Sequence, residues 1–368
     1  MKLVVFGLTV SSSWGNGHAT LWRGLIRALE RRGHDVVFFE RDTPYYAEHR
    51  DLTDLGEALL ILYPDWESVR LKALGHLLDA DVALVTSYCP DARQASDLIA
   101  EQGHVSVFYD LDTPVTLARF AAGETVDYLP RDGLGRYDLV LSYTGGAALE
   151  RLRSQLGARR TAALYGHVDP DEHHPEPRDP RYACDLSYLG TYAADRQAGV
   201  EQMFLAPARA RPDVRFVLGG SGYPQDFPWT PNIWFVQHLA PAEHAAFFSS
   251  SRLTLNVTRR DMAAMGWCPS GRLFEAAACG APILTDAWPG LEDFFAPGRE
   301  VLAVGGEAEV LAAMDLPDAE LARLARAARE RVLDEHTSDH RAGQLLALLA
   351  DVSEGVLPAS YTPVLAEA

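Results

Sequence analysis

The sequence predicts an α/β protein of two doubly wound domains facing each other across a cleft. Three observations predict it. At 368 residues the chain exceeds the roughly 250–300 residues at which a single core stops growing. Short β-branched or aromatic runs alternate with amphipathic stretches, as in a parallel sheet covered on both faces. The alternation breaks at one proline-rich stretch and then restarts with a second set of similar size.

In the first half, strands are expected near Lys2–Val10, Asp35–Glu40, Asp81–Tyr88, His104–Asp110, Tyr137–Tyr143 and Thr161–Tyr165. Between the first two, Leu21, Trp22, Leu25, Ile26 and Leu29 recur at helical spacing, and Gly33 ends that helix. The stretch His167–Pro177 holds three prolines among polar residues and reads as an exposed interdomain linker. Strands of the second half are expected at Asp185–Leu189, Arg215–Leu218, Ile233–Gln237, Leu253–Val257, Pro282–Thr285 and Val301–Val304. A surface helix follows over Ala319–Leu333, and another with an apolar stripe over His340–Leu349. The expected division is a Rossmann-like domain over 1–168 and a second Rossmann-like domain over 169–340. A C-terminal helix and tail over 341–368 would pack back on the first domain. Ligands of open α/β sheets bind at the carboxyl ends of the strands, so the site is expected there.

Composition narrows the function classes. Hydrophobic residues make up 48% and charged residues 23%, ordinary globular usage. Mean hydropathy is -0.09, and no run approaches the ~20 apolar residues of a membrane helix. The apolar start reads as a buried strand rather than a signal peptide, so a cytoplasmic location is expected. Cys89, Cys184, Cys268 and Cys279 lack paired spacing, which suggests neither a disulfide framework nor a structural zinc site. A formal charge of -18 argues against nucleic-acid partners and against charge-held membrane binding. Only Lys2 and Lys72 are lysines. Any phosphate held here must therefore meet arginine, backbone amides and helix ends.

The most informative segment is Pro269–Asp286. It reads as a helix capped by Ser270, stopped by Gly280 and running into a buried strand. The first-turn amides from Gly271 onward and the helix dipole suit a diphosphate, and Arg272 adds a fork of donors. Glu275, one turn in, could accept two hydrogen bonds from a ribose diol. The alternative is an ordinary buried helix with a surface Arg272–Glu275 pair.

The run Phe274-Glu275-Ala276-Ala277-Ala278-Cys279-Gly280-Ala281-Pro282 resembles the donor-binding signature of GT-B glycosyltransferases. It is most similar to the family-4-like group and to relatives resembling the spore-maturation protein CgeB. The resemblance implies that Glu275 binds the nucleotide ribose and that the helix start binds the diphosphate. Tyr188-Leu189-Gly190-Thr191-Tyr192, followed by Arg196, resembles the first strand-turn of the donor domain. There Gly190 would admit the phosphates and Arg196 neutralise them. His238, at the end of Val236-Gln237-His238-Leu239, falls where such enzymes hold the base. Family-4 enzymes often carry a second glutamate eight residues before the ribose-binding one, and this sequence has Trp267 there. No role in transfer is assigned to Trp267.

In the first half, Gly15, Asn16, Gly17 and His18 lie between the first strand and its helix. Two glycines permit close approach to a ligand, though Thr20 replaces the third glycine of a dinucleotide fingerprint. By resemblance this loop meets acceptor and donor sugar, with His18 contacting the sugar or acting as base. The alternative is a loop histidine at a helix start. Glu40 reads as strand-end polarity. Asp110 and Asp112, two apart at a strand end, are expected to point the same way and to bind or deprotonate an acceptor hydroxyl. The alternative for Asp112 is capping ahead of Pro114. His173 and His174 sit in the linker, and His336 and His340 read as a helix-start pair. Neither cluster is taken as a metal site.

These readings combine into a glycosyltransferase moving a sugar from a nucleoside-diphosphate sugar, UDP first, to a hydroxyl of a small-molecule or glycan acceptor. The enzyme needs no metal or cofactor. Retention of configuration is what the family-4 resemblance implies. An inverting route with His18 or Asp112 as base stays open, as do an epimerase or hydrolase of the same fold and a silent nucleotide-sugar-binding module.

Overall fold

The computed structural model describes residues 1–52, 54–355 and 360–361. Thr53 and most of the tail beyond 355 lie outside the described residues. Backbone contacts divide the chain into two compact units. One comprises Met1–Tyr165 with the segment from Ser338, the other Gly166–Thr337.

In chain order the first unit has β1 Lys2–Gly7, β2 Asp35–Arg41, β3 Leu59–Tyr63, β4 Val82–Thr86, β5 Val105–Asp110, β6 Leu139–Ser142 and β7 Thr161–Ala163. The second has β8 Leu186–Leu189, β9 Phe216–Gly220, β10 Ile233–Gln237, β11 Thr254–Asn256, β12 Ile283–Thr285 and β13 Leu302–Ala303. A last strand, β14 Ser360–Tyr361, returns to the first unit. Each strand expected from the sequence is present, most with trimmed ends, while β2 runs on to Arg41, β9 runs on to Gly220 and β10 keeps its expected bounds. The β3 strand was not expected. Its Leu-Leu-Ile-Leu-Tyr run is leucine-rich and fits a helix as well as a strand, and two of its leucines stay exposed at the sheet edge.

Both sheets are wholly parallel. The first runs β14-β7-β6-β5-β4-β1-β2-β3, and the second β10-β9-β8-β11-β12-β13. In both, strand order reverses beside the first strand of the unit, where β1 separates β4 from β2 and β8 separates β11 from β9. Ligands gather at the carboxyl edge beside such a reversal.

The helix His18–Arg31 buries Leu21, Trp22, Leu25, Ile26 and Leu29 on the first sheet, and Gly33 ends it with a left-handed φ of 77°. The helix Ser338–Ser353 adds Ala342, Leu345, Leu348 and Leu349 to the same core. Arg32 donates to the Asp339 carbonyl at 2.9 Å beside it. The core of the second unit is aromatic and aliphatic, with Phe204, Phe216, Leu218, Leu253 and Leu284 fully buried.

Two expectations are corrected. The stretch 167–177 is not simply exposed. His167, Asp169 and His173 are buried, and Val168 bridges to Thr337 in parallel. His336 and His340 do not share a helix. His336 caps the end of Asp318–Glu335, buried against Phe274 at 4.9 Å, whereas His340 lies in the next helix.

Candidate active site

In the first unit, the loop after β1 is built around a buried carboxylate. Glu40, at the end of β2, accepts from the Val10 amide at 2.7 Å, the Ser11 amide at 3.0 Å and the hydroxyls of Thr9 and Ser11. Arg23 donates to the Val10 carbonyl at 2.9 Å and to Asp51 at 2.6 Å, and Asp51 also holds the Ser13 amide. Glu40 is thus the organising group of this loop, more than strand-end polarity.

The loop presents Gly15, Asn16, Gly17 and His18 at the carboxyl edge. Gly15 has a left-handed φ of 60°, and a side chain at Gly17 would meet open space. Asn16 is buried and accepts from the His18 amide at 3.0 Å, fixing the helix start. His18 Nε2 lies 4.0 Å from Asp112 Oδ2, and its Nδ1 is buried without a hydrogen-bond partner. Burial lowers the His18 pKa, and Asp112 partly offsets the shift. A neutral imidazole can accept a hydrogen bond from a hydroxyl.

The two carboxylates after β5 do not project together. Asp110 is fully buried, and its Oδ1 accepts from Thr116 at 3.0 Å and from the Asp112 amide at 3.1 Å. Its Oδ2 has no partner, and burial pushes the carboxyl up to about 7. Asp112 sits at the start of the helix Thr113–Ala121, partly exposed and making no side-chain cap bond. The chain turns between them as the strand passes into the helix. Asp112 thus reaches His18 while Asp110 supports the turn from beneath.

Tyr88, just past β4, joins this group and was not anticipated. Its φ is 63°, and its ring lies 5.8 Å from His18 and 4.9 Å from Tyr128. Burial and then the Asp112 charge push its phenol up. Only the left-handed backbone marks the position, and sequence does not reveal that.

In the second unit, the helix Gly271–Ala278 is capped by Ser270, whose hydroxyl accepts from the Arg272 amide at 3.3 Å. Because this helix runs into β12, its start lies at the carboxyl edge. Gly190, Thr191 and His238 follow β8 and β10 at the same edge. A side chain at Gly190 would crowd the ends of the Tyr188 and Arg196 side chains. Arg196 donates to the Thr191 carbonyl at 3.2 Å, and its Nε is buried without a partner. His238 has a left-handed φ of 48°, and its amide donates to Gly220 at 2.8 Å.

Glu275 is not part of a surface pair. Its side chain is 6% exposed, and its Oε2 meets the Arg272 guanidinium and, at 3.3 Å, His244 Nδ1. His173 Nε2 lies 3.9 Å from the same oxygen. Burial alone would raise the Glu275 carboxyl, but Arg272 and the two histidines hold it far below the usual range. Burial and Arg272 lower His244 to about 4. His173, His244 and Glu275 bring ligand atoms within 4.8 Å of one another, a spacing that could hold a cation. The Arg272 guanidinium already stands on the shared carboxylate oxygen and supplies the positive charge. Neither histidine carries a metal-motif spacing in the sequence, so this convergence was not legible there.

Trp267 has its own lodging. Its indole donates to Asp293 at 2.5 Å, packed where any side chain at Gly290 would collide.

Residues 196–347 match the family model described as glycosyl transferase-like. Over the whole chain the structure is similar to sucrose-phosphate synthase from Thermosynechococcus elongatus, with a TM-score of 0.70 and 16% identity, covering 96% of this chain and 100% of that one. The fold is GT-B. The GT-B protein HepE from Anabaena, solved with UDP and glucose, gives 0.66 and 14%, covering 95% and 100%. An alpha-glucosyltransferase solved with UDP-glucose and DNA gives 0.69 and 12%, covering 95% and 99%. No curated protein matches the chain in sequence. With a glycosyl transferase-like domain on a GT-B fold, the chain is a glycosyltransferase. Among the described residues, no helix is long and apolar enough to cross a membrane.

Proposed function

We propose that this glycosyltransferase moves a sugar from a UDP-sugar to a hydroxyl of a small-molecule or glycan acceptor, with retention and without a metal. The observation that carries the donor assignment is the helix start Ser270–Arg272 at the carboxyl edge, with Glu275 one turn in. First-turn amides and the helix dipole favour a diphosphate. Arg272, drawn to the phosphates, would leave Glu275 for the ribose diol. Gly190, Thr191 and Arg196 complete the phosphate side, and the buried unpartnered Nε of Arg196 suits an anion. His238 would border the base.

Departure of the diphosphate is the step such a site accelerates. Preorganised amides and two guanidinium groups stabilise the charge that develops on the leaving oxygen, which is the task a metal performs elsewhere. The sugar-handling residues are Gly15, Asn16, Gly17, His18 and Asp112, with Asp110 as the buried support of Asp112. A neutral His18 beside a carboxylate offers both an acceptor and a donor to sugar hydroxyls.

UDP is favoured because structural neighbours were solved with UDP or UDP-glucose. One was also solved with DNA, but a net charge of -18 disfavours that acceptor class here. A cytoplasmic setting is part of this reading, since UDP-sugars are used there by enzymes without membrane spans.

The test is UDP release from UDP-glucose and UDP-galactose with EDTA present, with and without a panel of sugar and small-molecule alcohols. Transfer predicts release that depends on the acceptor, together with a glycosylated product. Equal release without acceptor would make the protein a hydrolase, and binding with no release would make it a silent module. Either result overturns the proposal.

A further inference from the structure

The phenol of Tyr88 is held where the described function has not used it. The turn carrying it is fixed on both sides. The Ser87 amide donates to the Tyr109 carbonyl at 3.0 Å, the Ser87 hydroxyl accepts from the Leu111 amide at 2.9 Å, and the Cys89 amide closes on Thr86 at 3.3 Å. These bonds tie the end of β4 to the end of β5 and force Tyr88 into the left-handed region. For a bulky residue that conformation is strained, and such residues cluster at functional sites. The strain places a half-buried tyrosine between Tyr128 and His18, in the group that also holds Asp112.

The neighbouring phenol behaves differently. Tyr128 pairs with the Thr116 hydroxyl at 2.8 Å, and Thr116 in turn donates to Asp110. That set is satisfied within the fold. Tyr88 instead stands beside His18, whose Nε2 lies 4.0 Å from the partly exposed Asp112 Oδ2. The charged and titratable groups around the arrangement come from three elements. Tyr88 stands after β4, and Asp110, Asp112 and Arg119 stand on or beside the helix Thr113–Ala121. Tyr128 follows that helix, and His18 opens its own.

We propose that Tyr88 is a positioning residue, donating its hydroxyl to Asp112 so that this carboxylate sets the orientation and charge of His18. This rests on the reading above, in which His18 and Asp112 handle sugar hydroxyls. A carboxylate with one donor fixed by the protein presents its other lone pairs in a defined direction. In ligand-free proteins such bonds are commonly long and tighten when substrate binds. Tyr88 thus extends the sugar-handling pair to a Tyr88–Asp112–His18 line.

The test reads His18 directly by NMR titration of protein carrying ring-labelled histidine, with its signal assigned by loss in His18→Gln. No sugar donor enters the measurement, so the positioning role and the transfer reaction can fail separately. In Tyr88→Phe the carboxylate loses the phenol that shares its charge, and His18 should titrate higher than in wild type by roughly half a unit or more. In Asp112→Asn it should titrate lower. Thr116→Val removes the hydroxyl that serves Tyr128 and Asp110 and should leave His18 where it was. Melting curves identify any variant that fails to fold, and the near-isosteric Tyr88→Phe is expected to fold. An unmoved His18 in folded Tyr88→Phe would overturn the proposal. So would an unmoved His18 in Asp112→Asn, or an equal shift in Thr116→Val.

Discussion

His244 Nδ1 lies 3.3 Å from Glu275 Oε2, with both side chains almost wholly buried. The pair helps explain how a carboxylate survives buried one turn inside the helix Gly271–Ala278. Arg272 neutralises it, and His244 stays uncharged because burial and Arg272 oppose its protonation. Removing only the guanidinium would leave a buried charge uncompensated. Arg272→Gln should therefore cost about 3 kcal/mol of stability in urea unfolding. Adding Glu275→Gln should recover a large part of that loss. Full additivity of the two changes would contradict the pairing.

The same pair makes the protein sensitive to acid. The His244 pKa is lowered on folding, so the unfolded chain gains a proton below about 6.5 that the native state refuses until about 4. Stability should fall across that window as pH drops. His244→Asn should flatten the fall, measured as melting temperature against pH. An equally steep profile in the variant would show that another group controls it.

Asp110 has the opposite sign. Its folded pKa is raised to about 7, so its stability contribution is whole below about pH 4 and is lost as pH rises through 7. Asp110→Asn removes the cost of ionising there and keeps an acceptor for Thr116. The variant should gain on wild type between pH 5 and pH 8, by at most about 4 kcal/mol. No gain at pH 8 would mean that Asp110 ionises freely.

Glu40 carries the loop that presents His18. Glu40→Gln keeps the shape but places an amide NH2 against two of the four donors, and should cost about 2 kcal/mol or more. Amide exchange at Val10 and Ser11 should quicken, while the second unit keeps its protection. Unchanged exchange at those amides would remove Glu40 from its organising role.

Much of the architecture was legible because continuous apolar strands and spaced helices follow from short-range pattern. The Ser270 cap and the stop at Gly280 were legible for the same reason. Strand β3 was ambiguous because leucine-rich runs suit either structure. The surroundings of Glu275 were not legible at all. His173 and His244 reach it from segments about 100 and 30 residues away, and no local spacing encodes that meeting. The Asp110–Asp112 spacing misled because it assumed extended backbone through the second residue. The helix start turns Asp112 outward and leaves Asp110 in the core. Tyr88 depends on a left-handed φ that tyrosine seldom adopts.

The central claim is that Glu275 and the Ser270–Arg272 helix start form a nucleoside-diphosphate site. Calorimetric titration with UDP, in EDTA, of wild type and folded Glu275→Gln tests it most directly. Metal-free binding is expected in wild type and at least tenfold weaker binding in the variant, the loss expected for hydrogen bonds to a charged acceptor. Equal affinity in the two proteins, or wild-type binding that appears only when a divalent cation replaces EDTA, would contradict it.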